Sequence, residues 1–189
     1  MISPLGSITT RTGRHPVMSD PAGFEVVPED LRYALSRQCR YAGHCDVTVL
    51  QHLHICIQLA HLYGYDAAAT AYCAAHDLHE AYVQDIVRPL KALLPDYQRI
   101  EALWEAHVHR AVGLEWPLDP LMAQQVKRVD QRAVICEKVL TGFSLDARWI
   151  EVHGGPMVAP EDRVVMPVND DPETWATVWN AVVRDGGTP

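Results

Sequence analysis

Val47-Thr-Val-Leu-Gln-His52-Leu-His-Ile-Cys56-Ile-Gln-Leu-Ala60-His-Leu-Tyr63 decides the fold class. His52, Ile55, Cys56, Leu59, Ala60 and Tyr63 recur at helical spacing and form one continuous face, which predicts a helix over 47–63. Asp46 is placed to cap its start, Gly64 to end it, and Asp66 to cap the next. Residues 67–84 are rich in Ala, the strongest helix former, and predict a second helix limited by Pro89.

Working outward, Pro28-Glu29-Asp30 predicts a short helix to about Arg37, with 38–45 as a loop. Pro95-Asp96 opens a helix through about Val112, and Gly113 stops it. Asp119-Pro120 is a cap followed by Pro in the first turn; it predicts a helix through Leu140, with Gly142 after it. Beyond Trp149 glycines and prolines interrupt the chain, Arg163–Val168 predicts a short strand or extended arm, and Asp171-Pro172-Glu173 starts a last helix to about Arg184. The expectation is an all-α bundle at 28–145, an irregular segment at 1–27 and a C-terminal appendage at 146–189.

The 189 residues fit one domain, and 48% apolar with 21% charged residues is an ordinary globular balance. The net charge of −8 and the lack of a basic run speak against a long nucleic acid as partner. A small phosphorylated substrate held by metal suits this charge. No stretch approaches the ~20 apolar residues that span a bilayer, and Met1–Ser19 lacks the apolar core of a secretory signal. Five cysteines without a CxxC pair suit a reducing interior, so the expected compartment is the cytoplasm.

Three helices bring unexpected residues to their inward faces. His52 lies on the apolar stripe, His76 and Asp77 follow the nonpolar run Ala71–Ala75, and Asp130 keeps company with Val126, Ala133 and Val134. A buried carboxylate costs several kcal/mol unless compensated, and two without a cation cost more. A divalent metal held by His52, His76, Asp77 and Asp130 removes that cost. Two imidazoles and two carboxylates suit Mn²⁺, Fe²⁺, Co²⁺ or Zn²⁺ and, less naturally, Mg²⁺. Four protein ligands leave room for water and a phosphate oxygen, the arrangement of metal-assisted phosphoester hydrolysis.

These residues resemble the HD-domain phosphohydrolases, closest to the small single-domain branch of 5′-deoxynucleotidases and phage dATP triphosphohydrolases. The matching text is Arg37-Gln-Cys-Arg40-Tyr-Ala-Gly-His44, Val49-Leu-Gln-His52, and the long block Ala74-Ala-His76-Asp77-Leu-His-Glu80-Ala-Tyr-Val-Gln-Asp85-Ile-Val-Arg-Pro-Leu-Lys91. It ends with Val126-Lys-Arg-Val-Asp130 and Glu137, spanning about 32–142. The resemblance implies His52, His76, Asp77 and Asp130 as ligands and Glu80 as the acid acting on the attacking water. It implies Asp85 as a second acid that orients the nucleophile or gathers Mg²⁺ with a triphosphate. Arg40 and Lys91 match phosphate-contacting cations, and Tyr41 a position lining base or sugar. Glu80 lies one turn after His76, on the same face in a continuous helix.

The implied function is hydrolysis of deoxynucleoside phosphates by a homo-oligomer. Tyr41 beside Arg40, and the Asp85–Lys91 run, lean toward release of triphosphate from dATP, with 5′-deoxynucleotidase activity on monophosphates and a non-catalytic nucleotide-binding module as the alternatives. Other features are read as structural: His107 and His109 as a solvated face, Cys39, His44 and Cys45 as loop and core, and Glu101, Glu105 and Arg99 as helix-surface charge. Trp175 and Trp179 are read as an apolar stripe for docking.

Overall fold

The computed structural model describes residues 6–142 and 164–183. The fold is all-α: α1 Pro28–Leu35, a 3-10 turn at Tyr41–Gly43, α2 Val49–Leu62, α3 Ala67–Ala75, α4 Glu80–Val83, α5 Arg88–Lys91, α6 Pro95–Ala111, α7 Pro120–Thr141 and α8 Pro172–Val182. Pairing among the described residues is confined to isolated bridges such as Cys39 with Thr48.

The α2 stripe is the centre of the molecule. Leu50, Leu53 and Ile57 pack into a core with Leu31, Leu78, Trp104 and Val178. Ile55, Cys56, Leu59 and Ala60 face a second cluster with Cys73, Val126, Val129, Ala133 and Cys136. Thus α2 sits between the rest of the bundle and α7, and its polar residue His52 is fully buried between them.

The helix starts follow cap chemistry. Asp66 accepts from the Ala69 amide and caps α3, and Asp119 accepts from the Leu121 and Met122 amides at α7. Gly142 ends α7 in the left-handed conformation at φ 71°, which glycine adopts without a Cβ clash. At α2 the cap is Thr48 rather than Asp46: Thr48 Oγ1 accepts from the Gln51 amide, and Gln51 Oε1 accepts from the Thr48 amide. That reciprocal pair satisfies two end donors at once. Asp66→Ala is expected to cost about 1 kcal/mol in urea unfolding; an unchanged midpoint would show the α3 cap to be dispensable.

Two further expectations change. The helix over 67–84 is broken, with α3 ending at Ala75 and α4 beginning at Glu80, so the His76–His79 turn lies between them. And α8, set apart in sequence as an appendage, places Trp175, Val178, Trp179 and Val182 in the main core. Its two indoles stack with centroids 5.4 Å apart. Arg163 lies outside the described residues, as does the Gly/Pro-rich stretch up to it; Val164–Val168 form an arm that is neither helix nor strand. Gln58 fastens that arm to α2, donating to the Val165 carbonyl and accepting from the Val165 amide, both at 2.9 Å. No helix among the described residues is long and apolar enough to cross a membrane.

Candidate metal centre

α2, the α3–α4 turn and α7 carry the four residues singled out in sequence, and the fold brings them together. His52 Nε2 lies 3.2 Å from His76 Nε2 and 3.5 Å from both Asp77 Oδ2 and Asp130 Oδ1; His76 Nε2 lies 3.3 Å from Asp77 Oδ2. Donors bound about 2.0–2.2 Å from one ion at right or tetrahedral angles are separated by roughly 3.0–3.5 Å. The spacings fall in that range.

Each imidazole is oriented from behind. His52 Nδ1–H donates to Glu137 Oε1 at 2.5 Å, and His76 Nδ1–H donates to the Cys73 carbonyl at 2.9 Å. With both protons on Nδ1, the Nε2 lone pairs face each other, which is repulsive unless a proton or cation lies between them. Fixing the rear nitrogen is how proteins aim an imidazole at a metal. His52, Cys56 and His76 form a group that could hold a metal ion, with Cys56 Sγ 3.5 Å from His52 Nε2.

The local field favours positive charge. Burial works against a charged His76, yet Asp77 and then Asp130 hold its pKa up at about 9. Burial opposes ionisation of Asp77, but His76, His52 and Arg40 keep its carboxyl well below the usual range. Glu80 is the reverse case. Burial, with Asp77 and Asp85 nearby, pushes its carboxyl well up; it is 4% exposed and its Oε2 has no partner. Asp85 is raised too, by burial first and by Asp77 against the pull of Arg40.

The centre opens on two cavities. One of 360 Å³ is lined by Arg40, Tyr41, Asp85, Val87, Pro89 and Val134; one of 550 Å³ lies on the side of His79, Glu101, Glu105, Trp116 and Lys127. Asp77, Glu80, Arg88, Lys91 and Asp130 border both. Arg88, 59% exposed, reaches across to Asp130 Oδ2 at 2.7 Å.

All the residues proposed from sequence therefore border this centre, but several are engaged differently. Lys91 Nζ is held by Glu101 Oε1 at 2.5 Å, so Glu101 is part of the site's charge network rather than ordinary surface charge. Arg40 donates from Nε to Glu137 at 3.3 Å and lies 3.5 Å from Asp77, and the Tyr41 hydroxyl donates to Glu137 at 2.6 Å. Glu137 is the residue whose role sequence reasoning missed. It lies two turns beyond Asp130 on α7, a spacing that places both on one face. His109 also differs: it is buried against Tyr72 and Trp116, not on a solvated face.

The chain matches no family model. It is 34% identical over 155 residues to the uncharacterized protein YfdR of Escherichia coli strain K12, covering 80% of this chain and 82% of that protein. The chain thus belongs to the same family as YfdR.

Proposed function

We propose that the protein is an HD-domain, metal-dependent phosphohydrolase that cleaves deoxynucleoside triphosphates, dATP first among them, into deoxynucleoside and triphosphate. The observation that supports this most is the pair of Nε2 atoms 3.2 Å apart with two carboxylates at 3.3–3.5 Å, each imidazole fixed from behind. A divalent ion such as Co²⁺, Mn²⁺, Zn²⁺ or Fe²⁺ fits His52, His76, Asp77 and Asp130, and would supply Lewis acidity toward phosphoryl oxygen and acidify water.

The chain's own residues supply the rest. Glu80, buried beside two carboxylates, keeps its proton far above the ordinary range and would pass it to a departing 5′-oxygen. Asp85 lines the same cavity wall. Arg88 is exposed and ion-paired with Asp130, so it can exchange that carboxylate for a phosphate oxygen once a cation claims Asp130. Lys91, between both cavities, adds a second positive charge. The apolar wall of Val87, Pro89 and Val134 suits a nucleoside.

The test is direct. Protein loaded with Co²⁺ or Mn²⁺ is incubated with dATP, dGTP or dAMP and the products are separated. Intact triphosphate from dATP is expected, with Asp130→Asn lowering the rate at least about a hundredfold. Inorganic phosphate from dAMP alone would turn the reading into a 5′-deoxynucleotidase. Nucleotide binding without any product would leave a non-catalytic module.

A further inference from the structure

Cys56 has no part in the ligand set just described, yet it is fully buried on the same face of α2 as His52, one turn on. Its Sγ lies 3.5 Å from His52 Nε2, and the ligating atoms of His52, Cys56 and His76 all lie within 4.8 Å of one another. We infer that Cys56 is a fifth ligand of the metal centre and biases it toward zinc and cobalt over manganese and magnesium. This rests on the metal centre proposed above and concerns which ion it takes.

Geometry and chemistry point the same way. A sulfur at about 2.3 Å and an imidazole nitrogen at about 2.05 Å from one ion, at a tetrahedral angle, lie roughly 3.6 Å apart. The observed separation matches. Two ligands at i and i+4 on a helix are a spacing that lets both reach one ion. Without an ion the Cys56 S–H can donate to His52 Nε2 at 3.5 Å, and an ion would take the place of that proton. When the ion binds, the S–H bond breaks, the metal–sulfur bond forms, and the proton leaves to solvent. A thiolate is a soft donor; it strengthens the hold on Zn²⁺ and Co²⁺ and adds little for Mg²⁺ or Mn²⁺.

The full chain, stripped with a chelator and reloaded with Co²⁺, should show visible ligand-field bands together with an intense near-ultraviolet sulfur-to-cobalt charge-transfer band. Cys56→Ser and Cys56→Ala should each lose the near-ultraviolet band and keep the visible ones. Their Zn²⁺ affinity should fall about tenfold or more while Mn²⁺ affinity moves less than about threefold. Cys73→Ala should keep the band. Zinc-edge absorption of the unmutated protein needs no variant and should report one sulfur at about 2.3 Å. Cobalt bound with visible bands but no charge-transfer band, or a band that survives Cys56→Ser, overturns the role of Cys56 and leaves the metal centre standing. Failure to take up cobalt at all overturns both.

Discussion

Glu137→Ala is expected to cost about 3–5 kcal/mol of stability and to weaken metal binding about 10- to 100-fold. The Glu137 carboxylate is wholly buried and accepts from three side chains: His52 Nδ1, Arg40 Nε and the Tyr41 hydroxyl. Burial alone would raise its pKa, but Arg40, His52 and Tyr41 bring it down to about 2. A carboxyl held at about 2 instead of its ordinary 4.5 contributes about 3 kcal/mol above pH 4.5, lost as the pH falls toward 2. Truncation takes from the buried Arg40 guanidinium its main counter-charge, and leaves His52 free to turn its proton toward the metal side. The loop suffers as well. Tyr41 and Ala42 both hold positive φ, 56° and 55°, a conformation side chains resist, and the Tyr41–Glu137 bond helps fix it. Glu137→Gln keeps the shape and one acceptor without the charge, so its losses should be intermediate. Urea unfolding and a competitive zinc chelator measure both effects; a Glu137→Ala protein within about 1 kcal/mol of the parent would contradict the argument.

How much of this was legible depends on how local each cause is. The α2 stripe, the Asp66 and Asp119 caps and the Gly142 stop are written in neighbouring residues, and they place the helices within a few positions. The break at His76–His79 is not, because Ala-rich propensity favours continuing the helix. The turn is fixed instead by what the site requires, with His76 leaning back on the Cys73 carbonyl. Cys56 at i+4 from His52 and Glu137 at i+7 from Asp130 were available signals, since helical spacing alone puts each pair on one face. Glu101 was out of reach. Its role depends on α5 bringing Lys91 across to α6, a tertiary event with no local mark. The Trp175–Trp179 stripe likewise announced an apolar face but not that it would fill the main core.

Acid should destabilise the protein through His109. This imidazole on α6 is 1% exposed, donates from Nδ1 to the Glu105 carbonyl at 2.8 Å, and has no partner at Nε2. Tyr72 and Trp116 lie against its ring. Protonating Nε2 would put an unpaired charge among aromatics. Burial first, and then the positive charges of His79 and His76, lower its pKa to about 4, with the Glu105 carbonyl and Asp77 opposing. The unfolded chain takes up this proton near pH 6.5 and the folded one only near 4, so folding stability must fall as the pH drops between those values. The loss from this residue is about 2.5 kcal/mol at pH 4.5 and about 3.4 once the pH is well below 4. His109→Phe keeps a ring between Tyr72 and Trp116 but cannot take the proton. At pH 8 it should be the less stable protein by about 1 kcal/mol, for the lost bond to Glu105. At pH 4.5 the order should reverse, with the variant ahead by roughly 1.5 kcal/mol. Because the carboxylates titrate in both proteins alike, the difference between their urea midpoints isolates this ring. Parallel decline of the two with acid would show that His109 is reached by solvent before the fold gives way.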